Sequence, residues 1–361
     1  MFYIAFKMSR RDKKYPLIHS YLSNRKTRCR VKGKMSGEVV LCSGVGEGSV
    51  LGPGFFICGM CSVGIVAKRT AKEMAEAGFW AEIFTLEFAD DTSGLIICND
   101  EAELQVAVHL MMDKFRHYFN SMGMCLNEKK CELIIFRSSK KEFSLTLPGG
   151  QEEVNTVRLL GLWIDNDYKF LTHTEKVCQK LRYKIANINR VRPYLSQERA
   201  KLITESLVLS TIGYMAVLYL RLPHNRKKVQ KLMNMAARSV LKAEPRSHVV
   251  DLLRELYWLN TANFHEYLLI CLMRRIRNGK CLAGVTYEET FERNDLYKLR
   301  QVHLRVRWPR ITSHGRNSFA FSATYAMNRY ELNGQWFGDE DTFKAVVKFR
   351  IFRENDNGNI K

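Results

Sequence analysis

The sequence predicts an α+β fold, and three observations lead to this class. Residues 81–87 and 92–98 are two apolar arms, rich in β-branched and aromatic residues, on either side of a short polar apex. Such arms are typical of the two strands of a hairpin. Residues 101–122 carry apolar side chains at helical spacing, and helical patterns dominate from Thr172 onward. A small antiparallel sheet followed by helices is therefore expected.

The elements around the apex can be predicted in order. The two arms carry little charge, so we expect largely buried strands. The next helix, residues 101–122, places one apolar face inward: Leu104, Val108, Met111, Met112, Phe115 and Phe119. Residues 131–136 and 159–164 are then predicted to be strands that join the hairpin in one small antiparallel sheet.

The second half of the chain is predicted to be helical. A first helix ends at Pro193, and Ser196 can cap a second helix that continues to Leu220. Residues 252–277 form another predicted helix. Between the second helix and residues 252–277, a third predicted helix has an apolar inner face: Val229, Leu232, Met233, Ala236, Ala237, Val240 and Leu241.

Asp90 and Asp91 lie at the apex between the two arms. At a turn, neighbouring side chains can lean toward one point, where a cation would relieve their repulsion. Hard divalent ions such as Mg²⁺ prefer carboxylate oxygens and often complete their shell with substrate phosphates. The pair therefore indicates phosphoryl or nucleotidyl transfer with Mg²⁺ or Mn²⁺. The alternative is an ordinary polar turn, since short acids are common in turns.

Four further motifs accompany the acid pair in a fixed order. They are Ser-Tyr-Leu-Ser-Asn-Arg at 20–25, a glycine loop at 44–53, Leu-Asn-Glu-Lys-Lys at 126–130 and Leu-Leu-Gly-Leu-Trp-Ile at 159–164. In this order and spacing, the set resembles the reverse transcriptase of non-long-terminal-repeat retrotransposons. The resemblance extends from about residue 20 to residue 220, and several motifs in the right order are far more specific than one.

This resemblance implies a role for each motif. It implies an incomplete polymerase palm followed by a helical thumb, acting on an RNA template and a DNA primer. Lys129 or Lys130 would protonate the pyrophosphate leaving group, although a surface lysine is the alternative. The other implied residues are Asp90 and Asp91 for catalysis and metal binding, Phe88, Ala89, Gly48 and Ser49 for nucleotide or template, and Leu160, Gly161 and Leu162 for the primer.

Two departures from the family pattern indicate a catalytically deficient fragment. The family carries a further metal-binding aspartate well upstream of residue 20, where this chain offers only Asp12 inside a basic run. With two carboxylates alone, we expect weak metal binding. In the glycine loop, Gly46 and Glu47 replace the family's usual proline and glutamine. A working polymerase that takes its missing carboxylate from a partner chain and a non-catalytic nucleic-acid-binding protein remain as alternatives.

The net charge of +20 indicates a polyanionic partner, with RNA or DNA ahead of a membrane. Residues 48–67 are uncharged but rich in glycine, so we expect a buried loop and helix and no membrane. The alternative for each basic cluster is a solvated face. The predicted nucleic-acid contacts are Arg25, Lys26, Arg28, Lys227, Lys231 and Arg238.

The domain organisation follows from these patterns. We expect a truncated palm with a basic N-terminal segment at 1–168, a thumb-like region at 169–246 and a C-terminal region of unknown role at 247–361. The ten cysteines form no zinc pattern beyond the pair Cys58 and Cys61 and indicate reduced thiols. Together with the lack of a secretory signal, they predict an intracellular protein of the nucleus or cytoplasm.

Overall fold

The computed structural model describes residues 20–21, 23–41, 48–137, 143–279, 319–330, 332 and 338–358. Within them, the chain combines helices with small antiparallel sheets, which confirms the α+β class. The chain divides into two units, residues 1–155 and 156–361. Residues 1–19, the loop residues 42–47 and residues 280–318 lie outside the described part.

The first unit is built around one long hairpin. Four short strands come first, namely β1 (Arg25–Thr27), β2 (Arg30–Val31), β3 (Lys34–Met35) and β4 (Val39–Leu41). Helices α1 (Gly52–Met60) and α2 (Val63–Glu76) lead to strands β5 (Ala81–Phe88) and β6 (Asp91–Cys98), which are followed by α3 (Glu101–Ser121). Helix α3 confirms the predicted helix, and Asp100 caps it by accepting a hydrogen bond from the Glu103 N–H at 2.8 Å.

One face of the hairpin forms the core of this unit. Ile83 is buried with Val63 and Ala67 of α2 and with Met111 and Phe115 of α3. The opposite face is exposed, which corrects the expectation of largely buried strands. Its apolar side chains are 41% to 63% exposed: Phe84, Leu86, Phe88, Leu95 and Ile97.

The predicted single sheet is also wrong for the described residues. These form separate two-stranded sheets that pair β1 with β4, β2 with β3 and β5 with β6, besides one in the second unit. Residues 131–136 contribute only an isolated bridge between Leu133 and Glu153. Side chains of this segment pack against α3 instead, where Val108, Ile135, Leu145 and Leu147 form a small second core.

The second unit opens with a hairpin and continues as packed helices. Strands β7 (Thr156–Leu159) and β8 (Leu162–Asp165) precede α4 (Leu171–Val191), α5 (Gln197–Thr204), a π-helical turn (Glu205–Leu209), α6 (Ser210–Gly213) and α7 (Ala216–Tyr219). Helices α8 (Pro223–Leu241), α9 (Val249–Glu255), α10 (Thr261–Arg277), α11 (Phe319–Arg329) and α12 (Glu340–Gly358) follow.

The core of this unit confirms much of the predicted pattern. The predicted inner face of α8 is buried, apart from Leu241, which is half-buried. Ser196 caps α5 as expected, since its hydroxyl accepts from the Arg199 N–H at 3.3 Å. The helix predicted to reach Leu220 is broken, however, because Tyr214 is extended and Met215 has φ +54°. The helix predicted at 252–277 is likewise two helices, α9 and α10.

One segment, Gly52–Glu76, is long and apolar enough to cross a membrane by length and composition. Of its most apolar window, 22% is buried. The structure divides this segment into α1 and α2, with a turn at Cys61 and Ser62. A single segment of this kind is weak evidence for a membrane span, since core helices pass the same test.

Candidate nucleic-acid and metal site

The acid pair lies at the tip of the β5–β6 hairpin. Phe88 pairs with Asp91, so Ala89 and Asp90 form a two-residue loop. Ala89 has φ +53°, in the left-handed region that tight hairpin loops require. Asp90 belongs to the loop and Asp91 begins β6, and both residues are exposed. The hairpin therefore presents two consecutive carboxylates at its free end.

The surroundings of the two carboxylates leave them accessible. Neither Asp90 nor Asp91 forms an ion pair with any residue that the structure describes. The Phe88 side chain, 63% exposed, lies opposite Asp91 in the pairing register and on the same face of the hairpin. The hydroxyl of the adjacent Thr92 is buried and has no hydrogen-bond partner.

The donor set at the apex meets part of the requirements of a divalent ion. Carboxylate oxygens are the ligands that Mg²⁺ and Mn²⁺ prefer, and Mg²⁺ usually takes one or two of them. Among the described residues, no group of three or more His, Cys, Asp or Glu side chains comes together. Asp90 and Asp91 can therefore bind one ion, which would take its remaining ligands from water or phosphate. Among the described residues, no further acidic group remains at the apex to bind a second ion.

Only the end of the predicted glycine loop is described. Gly48 has φ +76°, which glycine tolerates and which turns the chain toward α1. The Ser49 hydroxyl is engaged within the protein, since it shares a hydrogen bond with the Tyr21 hydroxyl and accepts from the Leu51 N–H at 3.3 Å. Gly46 and Glu47 lie outside the described residues.

The two lysines of the predicted turn are exposed. Lys129 and Lys130 belong to a 3-10 turn, Glu128–Lys130, after α3. Glu128 is not their partner, because its carboxylate accepts from Arg116 at 2.7 Å. Neither lysine forms an ion pair within the described part of the chain, so both amines are available to an external anion.

The predicted primer-gripping segment is a tight turn. A continuous strand at 159–164 is wrong, because Leu160 with φ +47° and Gly161 with φ +87° reverse the chain between β7 and β8. The Leu160 carbonyl accepts a hydrogen bond from the Tyr214 hydroxyl, and Leu162 is 4% exposed. This turn belongs to the second unit, so the sequence motif and the acid pair lie in different units.

Three of the predicted basic contacts are engaged within the protein. Lys26 and Arg28 flank Glu38 at 3.0 Å and 2.5 Å, and these two partners lower the pKa of the Glu38 carboxyl. Arg238 is half-buried and donates to the Ser247 carbonyl at 3.3 Å. Arg25 in β1 is half-buried, and two of its guanidinium nitrogens are buried. Lys227 and Lys231 of α8 are exposed, and neither has an ion-pair partner among the described residues.

A further basic surface lies on α4, and the sequence interpretation missed it. Helices α4 and α8 pack together, each has five Lys and Arg residues, and Glu175 is the sole Asp or Glu on either. Lys176, Lys180, Arg182 and Arg190 are exposed and form no ion pair with described residues. Nearby, Tyr183 is 71% exposed and Tyr194 is 87% exposed. The excess of cations along residues 171–191 was the available signal.

Comparison with known proteins relates part of the chain to reverse transcriptases. Residues 2–164 match the family model described as reverse transcriptase (RNA-dependent DNA polymerase). Over 210 residues, the chain is 22% identical to the RNA-directed DNA polymerase from mobile element jockey of Drosophila funebris. That match covers 57% of this chain and 22% of the relative, so the chain spans about a fifth of the relative's length. No solved structure matches the chain. Residues 2–164 are therefore similar to reverse transcriptases, and this part of the chain is reverse-transcriptase-like.

Proposed function

We propose that this chain binds an RNA template and a DNA primer through a thumb-like helical unit and that it does not extend the primer unaided. In this proposal, residues 1–168 correspond to an incomplete palm, 169–246 to the thumb and 247–361 to a C-terminal region without an assigned role. The family match supports the nucleic-acid substrate.

The observation that carries the binding proposal is the basic surface of α4 and α8. Exposed cations without ion-pair partners attract phosphates, and the release of counterions from the phosphates drives binding. Lys176, Lys180 and Arg182 on α4, with Lys227 and Lys231 on α8, supply such cations. The exposed rings of Tyr183 and Tyr194 can stack on unpaired bases. Contacts of this kind position a strand and do not read its sequence.

The apex of the hairpin would hold the metal. Asp90 and Asp91 offer carboxylate oxygens to one Mg²⁺ or Mn²⁺, which when bound neutralises charge on the phosphates of an incoming nucleotide. The exposed amine of Lys129 or Lys130 can donate a proton to the departing pyrophosphate oxygen. Phe88, Ala89, Gly48 and Ser49 would line the nucleotide and template, and the turn at Leu160, Gly161 and Leu162 would hold the primer.

The proposal of deficient catalysis rests on the number of carboxylates. Transfer of a nucleotidyl group with two ions clamps both the attacking and the leaving oxygen. Among the described residues, Asp90 and Asp91 have no third acid, His or Cys grouped with them. A single ion on two exposed carboxylates is expected to bind weakly and to activate only one of the two oxygens.

The binding proposal is tested by filter binding of a template–primer hybrid over a salt series. A triple variant, Lys176→Gln, Lys180→Gln and Arg182→Gln, removes three cations from α4. If each contacts one phosphate, the slope of log affinity against log salt becomes shallower by about 2–3.

The matched control removes the same charge from the other unit, with Lys68→Gln, Arg69→Gln and Lys72→Gln on α2. All three residues are exposed. The control is expected to leave the slope nearly unchanged. Equal slopes for the two triple variants would contradict binding along α4.

A further inference from the structure

A cavity of about 640 Å³ lies among helices α8, α9, α10 and α12 of the second unit. Its volume falls within the range of small-molecule and cofactor pockets. One wall is apolar and includes Leu253, Trp258 and Phe352. Trp258 is 2% exposed and its indole N–H donates to Glu205 at 2.8 Å, so this wall is held in a fixed position.

The charged groups of this cavity are all cationic. Arg226, Lys227 and Arg254 line it, and no Asp or Glu does. The Arg254 guanidinium forms an ion pair with the Asp251 carboxylate, with Nη1 and Oδ1 3.3 Å apart. Arg226 and Lys227 form no ion pair within the described part of the chain. The cavity is therefore complementary to an anion.

A buried amide faces the same space. Asn263, in the first turn of α10, lines the cavity and is 7% exposed. Its backbone N–H donates to Asn260, but its side-chain amide makes no hydrogen bond to any described residue. Its polar atoms are not among the fully enclosed ones, so a ligand in the cavity can form hydrogen bonds with them. An amide offers one donor and one acceptor, which is the pattern needed at the edge of a nucleobase.

From this combination we infer that the cavity binds one nucleotide unit, with its phosphate at Arg226 and Lys227, its base against the apolar wall and the base edge at Asn263. The inference extends the proposed nucleic-acid binding. It adds a site for a single unpaired nucleotide, which shares Lys227 with the proposed basic surface but is distinct from the phosphate contacts along α4. The nucleotide can belong to a single strand or be free in solution, because both carry the same phosphate and base.

The test uses the full chain and three probes. These are a labelled single-stranded RNA of ten nucleotides, a labelled blunt duplex and adenosine 5′-monophosphate, measured by anisotropy for the first two and by calorimetry for the third. Arg226→Gln removes the phosphate contact. Ala262→Phe keeps every cation and fills the cavity from its lining in the first turn of α10. Arg353→Gln removes an equal charge from an exposed position outside the lining.

The inference predicts a selective loss. Loss of one bound base and its phosphate contact weakens single-strand affinity about tenfold in Arg226→Gln and in Ala262→Phe. Duplex affinity should change less than about twofold, as should both affinities in Arg353→Gln. Thermal melting shows whether each variant is folded. Because Arg226→Gln and Ala262→Phe change the cavity in different ways, the test still holds if one of them fails to fold.

The remaining outcomes distinguish the cavity site from the proposed binding along α4. Equal losses for duplex and single strand, or unchanged single-strand affinity in both cavity variants, would overturn the inference while binding along α4 stands. Binding of the monophosphate that both variants abolish supports the site with a free nucleotide as its ligand. If the chain binds neither RNA probe, the proposed function fails, and absence of monophosphate binding then overturns the cavity site as well.

Discussion

Ala89 has φ +53° at the tip of the hairpin, next to Asp90 and Asp91. This conformation places the Cβ of an L-residue close to its own carbonyl and costs about 1–2 kcal/mol. Glycine adopts it without that penalty. The backbone strain therefore falls on the residue that orients the two carboxylates.

Ala89→Gly should relieve this strain. After the larger chain entropy of glycine in the unfolded state is subtracted, the free energy of unfolding of the first unit is expected to rise by about 0.5–1 kcal/mol. Urea denaturation measures it. Ala75→Gly, at an exposed position in the last turn of helix α2, is the control and should lower stability by up to about 1 kcal/mol. A comparable loss in Ala89→Gly would contradict the strained geometry.

The burial of His173 makes the stability of the folded state depend on pH. Its ring is 3% exposed, Nδ1 accepts from the Trp163 N–H at 3.4 Å, and Nε2 is buried without a hydrogen-bond partner. Burial, and secondarily Lys180, lower its pKa from 6.5 to about 4. The neutral ring is therefore the form that the folded unit accepts.

The pKa of His173 sets the sign of a pH dependence. Between about pH 6.5 and pH 4, the unfolded chain binds a proton that the folded state refuses, so stability is full above pH 6.5 and falls on acidification. The loss is on the order of 3 kcal/mol. Thermal melts over this pH range should show a shallower decline in His173→Gln than in the wild type. Parallel declines would contradict the assignment to His173.

At the scale of elements, the hairpin of β5 and β6 has two unlike faces. Composition predicts strands for residues 81–87 and 92–98, and the structure confirms them to within one residue at the apex. Composition does not specify which face another element covers. Since helices α2 and α3 pack on one face only, Phe84, Leu86 and Leu95 on the other remain about half exposed.

This outer face predicts self-association of the chain at high concentration, since monomeric proteins seldom expose a large contiguous apolar patch. Leu86→Thr with Leu95→Thr should reduce light scattering and leave the far-ultraviolet circular dichroism spectrum unchanged. Threonine keeps the preference for strand conformation. Ile83→Thr, on the buried face, is the control and should lower the melting temperature. Unchanged scattering in the double variant would contradict an accessible patch.

Whether the sequence predicts another element correctly depends on whether short-range or long-range interactions determine that element. Local signals were sufficient for helices α3 and α8 and for the Ser196 cap, because apolar periodicity and capping act within a few residues. They were insufficient at Leu160–Gly161 and at Tyr214–Met215. At both places the structure includes a long-range contact. The Tyr214 hydroxyl, at the helix break, donates a hydrogen bond to the carbonyl of Leu160, in the turn 54 residues away in sequence.

At the scale of the whole molecule, the net charge of +20 indicated a polyanionic partner, and the structure shows how those charges are distributed. Lys26 and Arg28, two of the predicted nucleic-acid contacts, pair with Glu38. Further exposed cations lie on α4 and α8, where Glu175 is the sole acidic residue. Sequence patterns predicted the position of the acid pair at a hairpin apex and the resemblance to reverse transcriptases, whereas the ion pairs and the cavity depend on contacts between distant residues.

From the acid pair on its hairpin and the basic helices we propose that the chain binds nucleic acid and that, among the described residues, Asp90 and Asp91 lack the further ligands that unaided polymerisation needs. Primer extension on an RNA template, with saturating protein and Mg²⁺ or Mn²⁺, tests it most directly. The comparison is with an Asp90→Asn and Asp91→Asn double variant. The account predicts no extended product from either protein on a hybrid that both bind. Extension by the wild type that the double variant abolishes would contradict it.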